Sequence, residues 1–178
     1  MTTEYALLGF LRLRPMHGYE LYRRLSDPEG LGLVWKMKQS HLYALLAKLE
    51  TERLIIAELQ PQPNRPPRKV FRLTRTGGQA YRTWVRSPVS RPRGMRQEFL
   101  VKLYFASLEG ESTARALVER QKETWREWLR SQDEPPGEPG EMQSFPAFVR
   151  SFRLGQLEAM LGWLDLCQQT PPAIQPRT

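Results

Sequence analysis

Leu42, Leu45, Leu46 and Leu49 fall at i, i+3, i+4 and i+7, which places one apolar stripe on a helix across Lys38–Leu54, with Ser40 positioned to cap it. The other face of that helix carries Ser40, Ala44, Ala47 and Thr51, edged by His41, Tyr43 and Lys48. Small side chains flanked by hydrogen-bonding and cationic ones let a helix lie close to another surface and read it, and a major groove admits one helix. An ordinary solvated face has the same composition, so the pattern alone leaves both readings open.

Upstream, Thr2–Leu13 predicts a first helix that buries Leu7, Leu8, Phe10 and Leu11 and is stopped by Pro15. Met16 opens a second helix to about Leu25, with Gly18, Leu21, Tyr22 and Leu25 on one face. Ser26–Gly32 is loop by its Pro and Gly content, after which Leu33-Val34-Trp35 is expected to re-enter the core. Downstream of Leu54 the period changes: Ile55–Gln60 and Lys69–Leu73 read as paired strands. The prolines between them mark an exposed turn, charged by Arg65, Arg68 and Lys69. Thr74 then caps a fourth helix to about Val85.

The remaining pattern is helical. Ser87–Arg96 reads as a linker, followed by helices over Gln97–Leu108 and Ser112–Gln132, an acidic helix-breaking loop at Asp133–Glu141, and a last helix at Phe145–Gln168. The second of these carries Leu117, Val118, Gln121, Trp125, Trp128 and Leu129 on one stripe. The last helix carries two stripes: Leu154, Leu157, Met160, Leu161 and Leu164, and, displaced around it, Phe145, Val149, Phe152, Ala159, Trp163 and Leu166. A helix apolar nearly all round must be covered on both sides. A second copy of the chain is the economical cover, and packing on the chain's own N-terminal half is the alternative; closed two-fold pairs are the commonest oligomers. Phe145, Val149, Phe152, Leu157, Met160, Leu161, Trp163 and Leu164 are therefore the candidate dimerisation residues.

Charge sharpens the division. Of 178 residues, the first 86 hold 15 Lys+Arg against 7 Asp+Glu, while the rest hold 12 of each, so the whole net charge of +8 lies in the half with the groove-fitting helix. Phosphate attraction uses such an asymmetry through counterion release. The single cysteine, Cys167, allows no intrachain disulfide and reads as a small core residue. No signal peptide or membrane span is apparent, so a cytoplasmic protein is expected. The resulting fold class is mainly α with a small β-hairpin: a winged helix-turn-helix at 1–86, a linker at 87–96, a helical dimerisation domain at 97–168 and a flexible tail at 169–178.

Four stretches, ALLGFL, PMHGYEL, LYALLAKLE and RPPRKVFRLT, resemble a PadR-type transcriptional regulator in register over residues 4 to about 86. His17-Gly18-Tyr19-Glu20, Tyr43 with Leu49-Glu50, and Pro67-Arg68-Lys69 with Leu73-Thr74 carry the resemblance. The family usually has glycines in the wing turn where this chain has Pro63-Asn64-Arg65-Pro66, and many members have a glycine where this chain has Arg53 before Leu54. The resemblance implies a homodimer joined through the C-terminal helices and a repressor that leaves its operator when an effector binds.

Candidate DNA contacts are Gln39, Ser40, His41 and Tyr43 at base edges or adjacent phosphates, Lys36, Lys38 and Lys48 at phosphates, and Arg65, Arg68 and Lys69 in the wing. Tyr43 has a competing role with its ring packed on the core. Trp125, Trp128 and Trp163 are the candidates for a pocket taking a small aromatic effector, against the simpler reading that they are core. Two histidines, one cysteine and no HExxH, CxxC, GxSxG or Gly-rich phosphate loop predict no catalytic centre, metal or cofactor. The partners expected are double-stranded DNA, a second copy and that effector, with no membrane. The rival functions are a winged-helix protein-interaction module and an accessory subunit.

Overall fold

Helix α1 (Thr2–Leu13) sits at the centre of the packing, with every residue from Ala6 to Leu11 buried. The computed structural model describes residues 2–62, 65–131, 144–170, 172 and 174, the side chains of 65, 66 and 131 excepted. The other elements are β1 (Met16–His17), α2 (Gly18–Leu25), α3 (Gln39–Thr51), β2 (Ile55–Gln62), β3 (Arg65–Leu73), α4 (Arg75–Arg86), α5 (Glu98–Glu109), α6 (Glu111–Ser131) and α7 (Phe145–Gln169), with short 3-10 helices at Leu31–Leu33 and Pro92–Arg96.

The expected hairpin is a three-stranded antiparallel sheet in the order β1-β3-β2. Met16 and His17 pair with Phe71 and Val70, so the chain forms a strand before it turns into α2. His17 then caps that helix, its Nδ1 accepting from the Glu20 amide at 3.2 Å. The β2–β3 ladder runs from Ile55↔Leu73 out to Gln62↔Arg65, with an irregularity between Gln60 and Gln62. Pro61, Pro66 and Pro67 thus lie within the strands' span, the latter two past the end of β1, where β3 has a free edge and the missing amide hydrogens cost no pairing on that side.

Two local expectations are corrected. Ser40 is not the cap of α3: Lys38 holds that position without a side-chain hydrogen bond, and Ser40 lies in the first turn. Leu33 is 76% exposed, and Leu31 is the residue that returns to the core. A hydrogen-bonded turn, in which Gly30 and Gly32 both donate to the Asp27 carbonyl at 3.0 Å, sets which leucine turns inward. Thr74, by contrast, caps α4 as expected, its Oγ1 accepting from the Gly77 amide at 3.0 Å while donating to the carbonyl of Leu54 at 2.9 Å.

One core runs from α1 to α7. The Phe105 ring of α5 packs edge-to-face on Phe10 and on Tyr81, tying the C-terminal helices to α1 and α4. Gly9 makes this approach feasible, since a Cβ there would lie 2.6 Å from Phe105 Cε1. Residues 87–96 are part of this assembly rather than a free linker, because Val89 and Met95 are buried. Gln121 of α6 accepts from the Val89 amide at 2.7 Å and donates to its carbonyl at 3.0 Å. Lys102 of α5 donates to the Ser87 carbonyl at 2.9 Å, pairs with Glu98 at 2.9 Å, and lies over the Trp84 ring. Residues 132–143, which include the expected acidic loop, lie outside the described residues, as does most of the expected tail.

Candidate nucleic-acid interface

Helix α3 divides as its pattern predicts. Leu42, Leu46 and Leu49 are buried, while Gln39, Ser40, His41, Ala44, Ala47 and Thr51 are exposed. A shallow depression of about 600 Å³ brings Lys36, Lys38, Ser40 and His41 together with Thr2, Thr3 and Gln97 around the start of the helix. Lys36 and Lys38 are exposed there, without an ion pair among the described residues. Unpaired cations next to free helical amides and the positive end of a helix dipole form an anion-attracting surface.

Tyr43 is both packed and presented. Its ring edge lies on Gly18, where a Cβ would stand 2.6 Å from Cε1 and 3.1 Å from the hydroxyl, yet the residue keeps 45% of its surface exposed. Lys48 is engaged differently. Its Nζ lies 2.6 Å from Glu4 of α1 and 3.7 Å from Glu52, so it clips α3 to α1. Burial alone would raise the Glu4 carboxyl, but the hydrogen bond and charge of Lys48 hold it below its ordinary value. The same partner raises the Lys48 ammonium.

In the wing, Arg68 Nε donates to Gln60 across the hairpin at 3.1 Å, and Lys69 reaches Glu50 of α3 at 3.6 Å. The wing is thereby aligned with the recognition-type helix, and both keep cationic surface facing outward. Arg65 pairs in the ladder through its backbone; its side chain is outside the described set.

The C-terminal candidates separate into two groups. Leu157 and Leu164 are wholly buried in the chain's own core, and Met160 and Leu161 pack against it, so these four already have cover. For Leu157 and Leu164 this corrects the dimerisation assignment. Phe145 (80%), Phe148 (63%), Phe152 (68%) and Leu166 (62%) stay exposed, which the chain's own N-terminal half does not relieve. The three tryptophans do not share a pocket. Trp125 is wholly buried, its indole nitrogen without a partner among the described residues, Trp128 packs against the core, and Trp163 lines a groove. That groove, about 1710 Å³, runs between the α2 region and α5–α7, past Tyr22, Leu103, Tyr104 and Cys167. Sequence periodicity gives no sign of it, because its walls come from three stretches far apart in the chain, 14–34, 100–104 and 163–174.

Two family profiles match successive parts of the chain: Transcriptional regulator PadR-like family over residues 7–83, and Virulence activator alpha C-term over residues 95–170. The N-terminal domain, residues 7–83, is a PadR-like transcriptional-regulator domain. Among curated relatives, the negative transcriptional regulator PadR of Bacillus subtilis is 31% identical over 118 residues, which is 66% of this chain and 64% of that protein. A probable transcriptional regulator of Mycobacterium tuberculosis, Rv1176c, is 28% identical over 52% of this chain and 48% of its own length. The match therefore spans about half to just under two thirds of these relatives. Among solved structures, Bacillus subtilis PadR in complex with operator DNA aligns over 95% of this chain and 98% of its own, with 24% identity and a TM-score of 0.49. The same protein in complex with p-coumaric acid aligns over 94% and 93%, with 22% identity and a TM-score of 0.43. Among the described residues no helix is long and apolar enough to cross a membrane.

Proposed function

We propose that this PadR-like chain is a homodimeric repressor that places α3 in the major groove of a palindromic operator and leaves it when a small aromatic effector binds. The observation that carries this reading is the exposed face of α3, where Gln39, Ser40, His41 and Tyr43 stand beside the exposed Lys36 and Lys38. Side chains of this kind on the first turns of a recognition helix meet base edges, while lysines and the helix N-terminus meet phosphates. Arg65, Arg68 and Lys69 extend the contact to backbone or minor groove from the wing.

The exposed aromatic row of α7 supports pairing with a second copy. Two α3 helices related by a two-fold axis would meet half-sites about one helical turn apart, or a multiple of it. Repression is supported by the Bacillus subtilis relative, a negative transcriptional regulator. That relative also has structures in complex with operator DNA and with p-coumaric acid. The groove past Tyr22, Tyr104 and Trp163 suits a flat aromatic ligand, which acts only by binding the DNA-competent and incompetent arrangements unequally. Such a protein works in the cytoplasm.

The test is fluorescence anisotropy with a duplex that the protein enriches from a random-sequence pool, against a shuffled duplex of the same composition, across a range of salt. Tight, salt-sensitive binding to the enriched duplex alone, with two-fold symmetry in its sequence, is the expected result. Failure to enrich any sequence would overturn the reading and favour a protein-interaction module.

A further inference from the structure

The segment joining the winged helix to α5 carries Arg91, Arg93 and Arg96 and no acidic residue. It is fixed along its length. Lys102 holds Ser87, Gln121 takes both backbone groups of Val89, and the side chains of Val89 and Met95 are buried. All three arginines are nevertheless exposed, and no side-chain ion pair or hydrogen bond engages them among the described residues. In the winged helix, by contrast, Lys48, Lys69 and Arg72 each have a carboxylate partner.

Arg93 and Arg96 stand three residues apart in the 3-10 helix Pro92–Arg96, where positions i and i+3 eclipse, so the two leave it on one side. Gln97, the next residue, lines the same depression as Lys36, Lys38 and Ser40 at the start of α3. Two guanidinium groups without a partner among the described residues therefore lie on a rigid support in the stretch that ends at Gln97, the residue that meets the start of the recognition-type helix. Guanidinium is also the side chain best suited to phosphate oxygens.

We propose that Arg93 and Arg96, flanked by Arg91, form a second contact to the DNA sugar–phosphate backbone, supplied by the interdomain segment rather than by α3 or the wing. This rests on the duplex-binding reading above. Contacts of this kind add affinity without sequence choice. Because Lys102 and Gln121 hold the segment, the C-terminal helices set where this contact stands.

The test compares wild type, R93Q/R96Q and K36Q/K38Q on the enriched and shuffled duplexes across a salt series, with thermal unfolding as the folding control. R93Q/R96Q should melt as wild type does. Its slope of log affinity on log salt should flatten by about two, and binding to both duplexes should weaken by an equal factor of roughly tenfold or more. If K36Q/K38Q flattens the slope and R93Q/R96Q leaves it unchanged, duplex binding stands and this inference falls. If wild type discriminates no duplex, the duplex-binding reading falls, and this inference with it.

Discussion

The ring of Tyr43 on α3 lies against Gly18 at the start of α2, with the space for a Cβ on that glycine already filled. The atoms in the way belong to the outer edge of a half-exposed ring, which can swing aside more easily than backbone can shift. Gly18→Ala should therefore move the melting midpoint little, while weakening binding to the enriched duplex through the displaced ring. Thermal unfolding run beside anisotropy checks this. A lowered midpoint with intact binding per folded molecule would make Tyr43 a packing residue only.

Gly9 offers no such escape, because Phe105 is buried in the centre of the core. Gly9→Ala should cost about 1–3 kcal/mol, typical of overpacking. Urea unfolding followed by tryptophan fluorescence and by circular dichroism should give one coincident transition, since the core is continuous. Two separated transitions would show the halves to be independent.

Arg53 is the one described non-glycine residue at positive φ, 57°. Its amide donates to the Glu50 carbonyl and that of Leu54 to the Leu49 carbonyl, each at 3.0 Å, which is the bonding of a Schellman helix end. A side chain in this conformation carries a cost of roughly 1 kcal/mol that glycine avoids. Arg53→Gly should raise stability by up to about 1 kcal/mol in urea unfolding, and a loss of stability would contradict the account.

Burial lowers the Lys102 ammonium from its usual 10.5, against the opposing pull of Glu98. A depressed lysine disfavours the folded state while it is charged. The penalty is fully present below the folded pKa and is relieved as pH rises through it toward 10.5. The stability of wild type relative to Lys102→Met should therefore increase from neutral to alkaline pH, measured by urea titration at each pH. A flat difference would mean that the ammonium stays charged throughout.

Phe152→Glu places a charge in the exposed aromatic row of α7, where the single chain offers no packing to lose. In sedimentation it should shift a dimer toward monomer while leaving helical content unchanged. A wild-type monomer at the same concentration would remove the two-fold reading of the operator.

Much of the layout was legible because its signals are local. Thr2–Leu13, the buried leucines of α3 and the Thr74 cap each follow from residues within a few positions of one another. What escaped depends on distant partners. Met16 and His17 become a strand only because Phe71 and Val70 come alongside, and Leu31 displaces Leu33 because a turn at Asp27 fixes the loop. The burial of Lys102 and Gln121 is the clearest case, since both stand on ordinary helical patterns and their partners, Ser87 and Val89, lie in another segment. The two stripes of α7 were seen, but which one the chain covers for itself is decided by α6 and α5.

The double hydrogen bond between Gln121 and Val89, with one core on either side of it, leaves the chain without a joint at its waist. A tilt of α7 would then carry α3 with it, as the arms of a pair of compasses move their points. In a two-fold pair, a small change of angle at the pivot would become a change of distance between the two reading heads, and the pitch of the duplex would then accept or refuse the span.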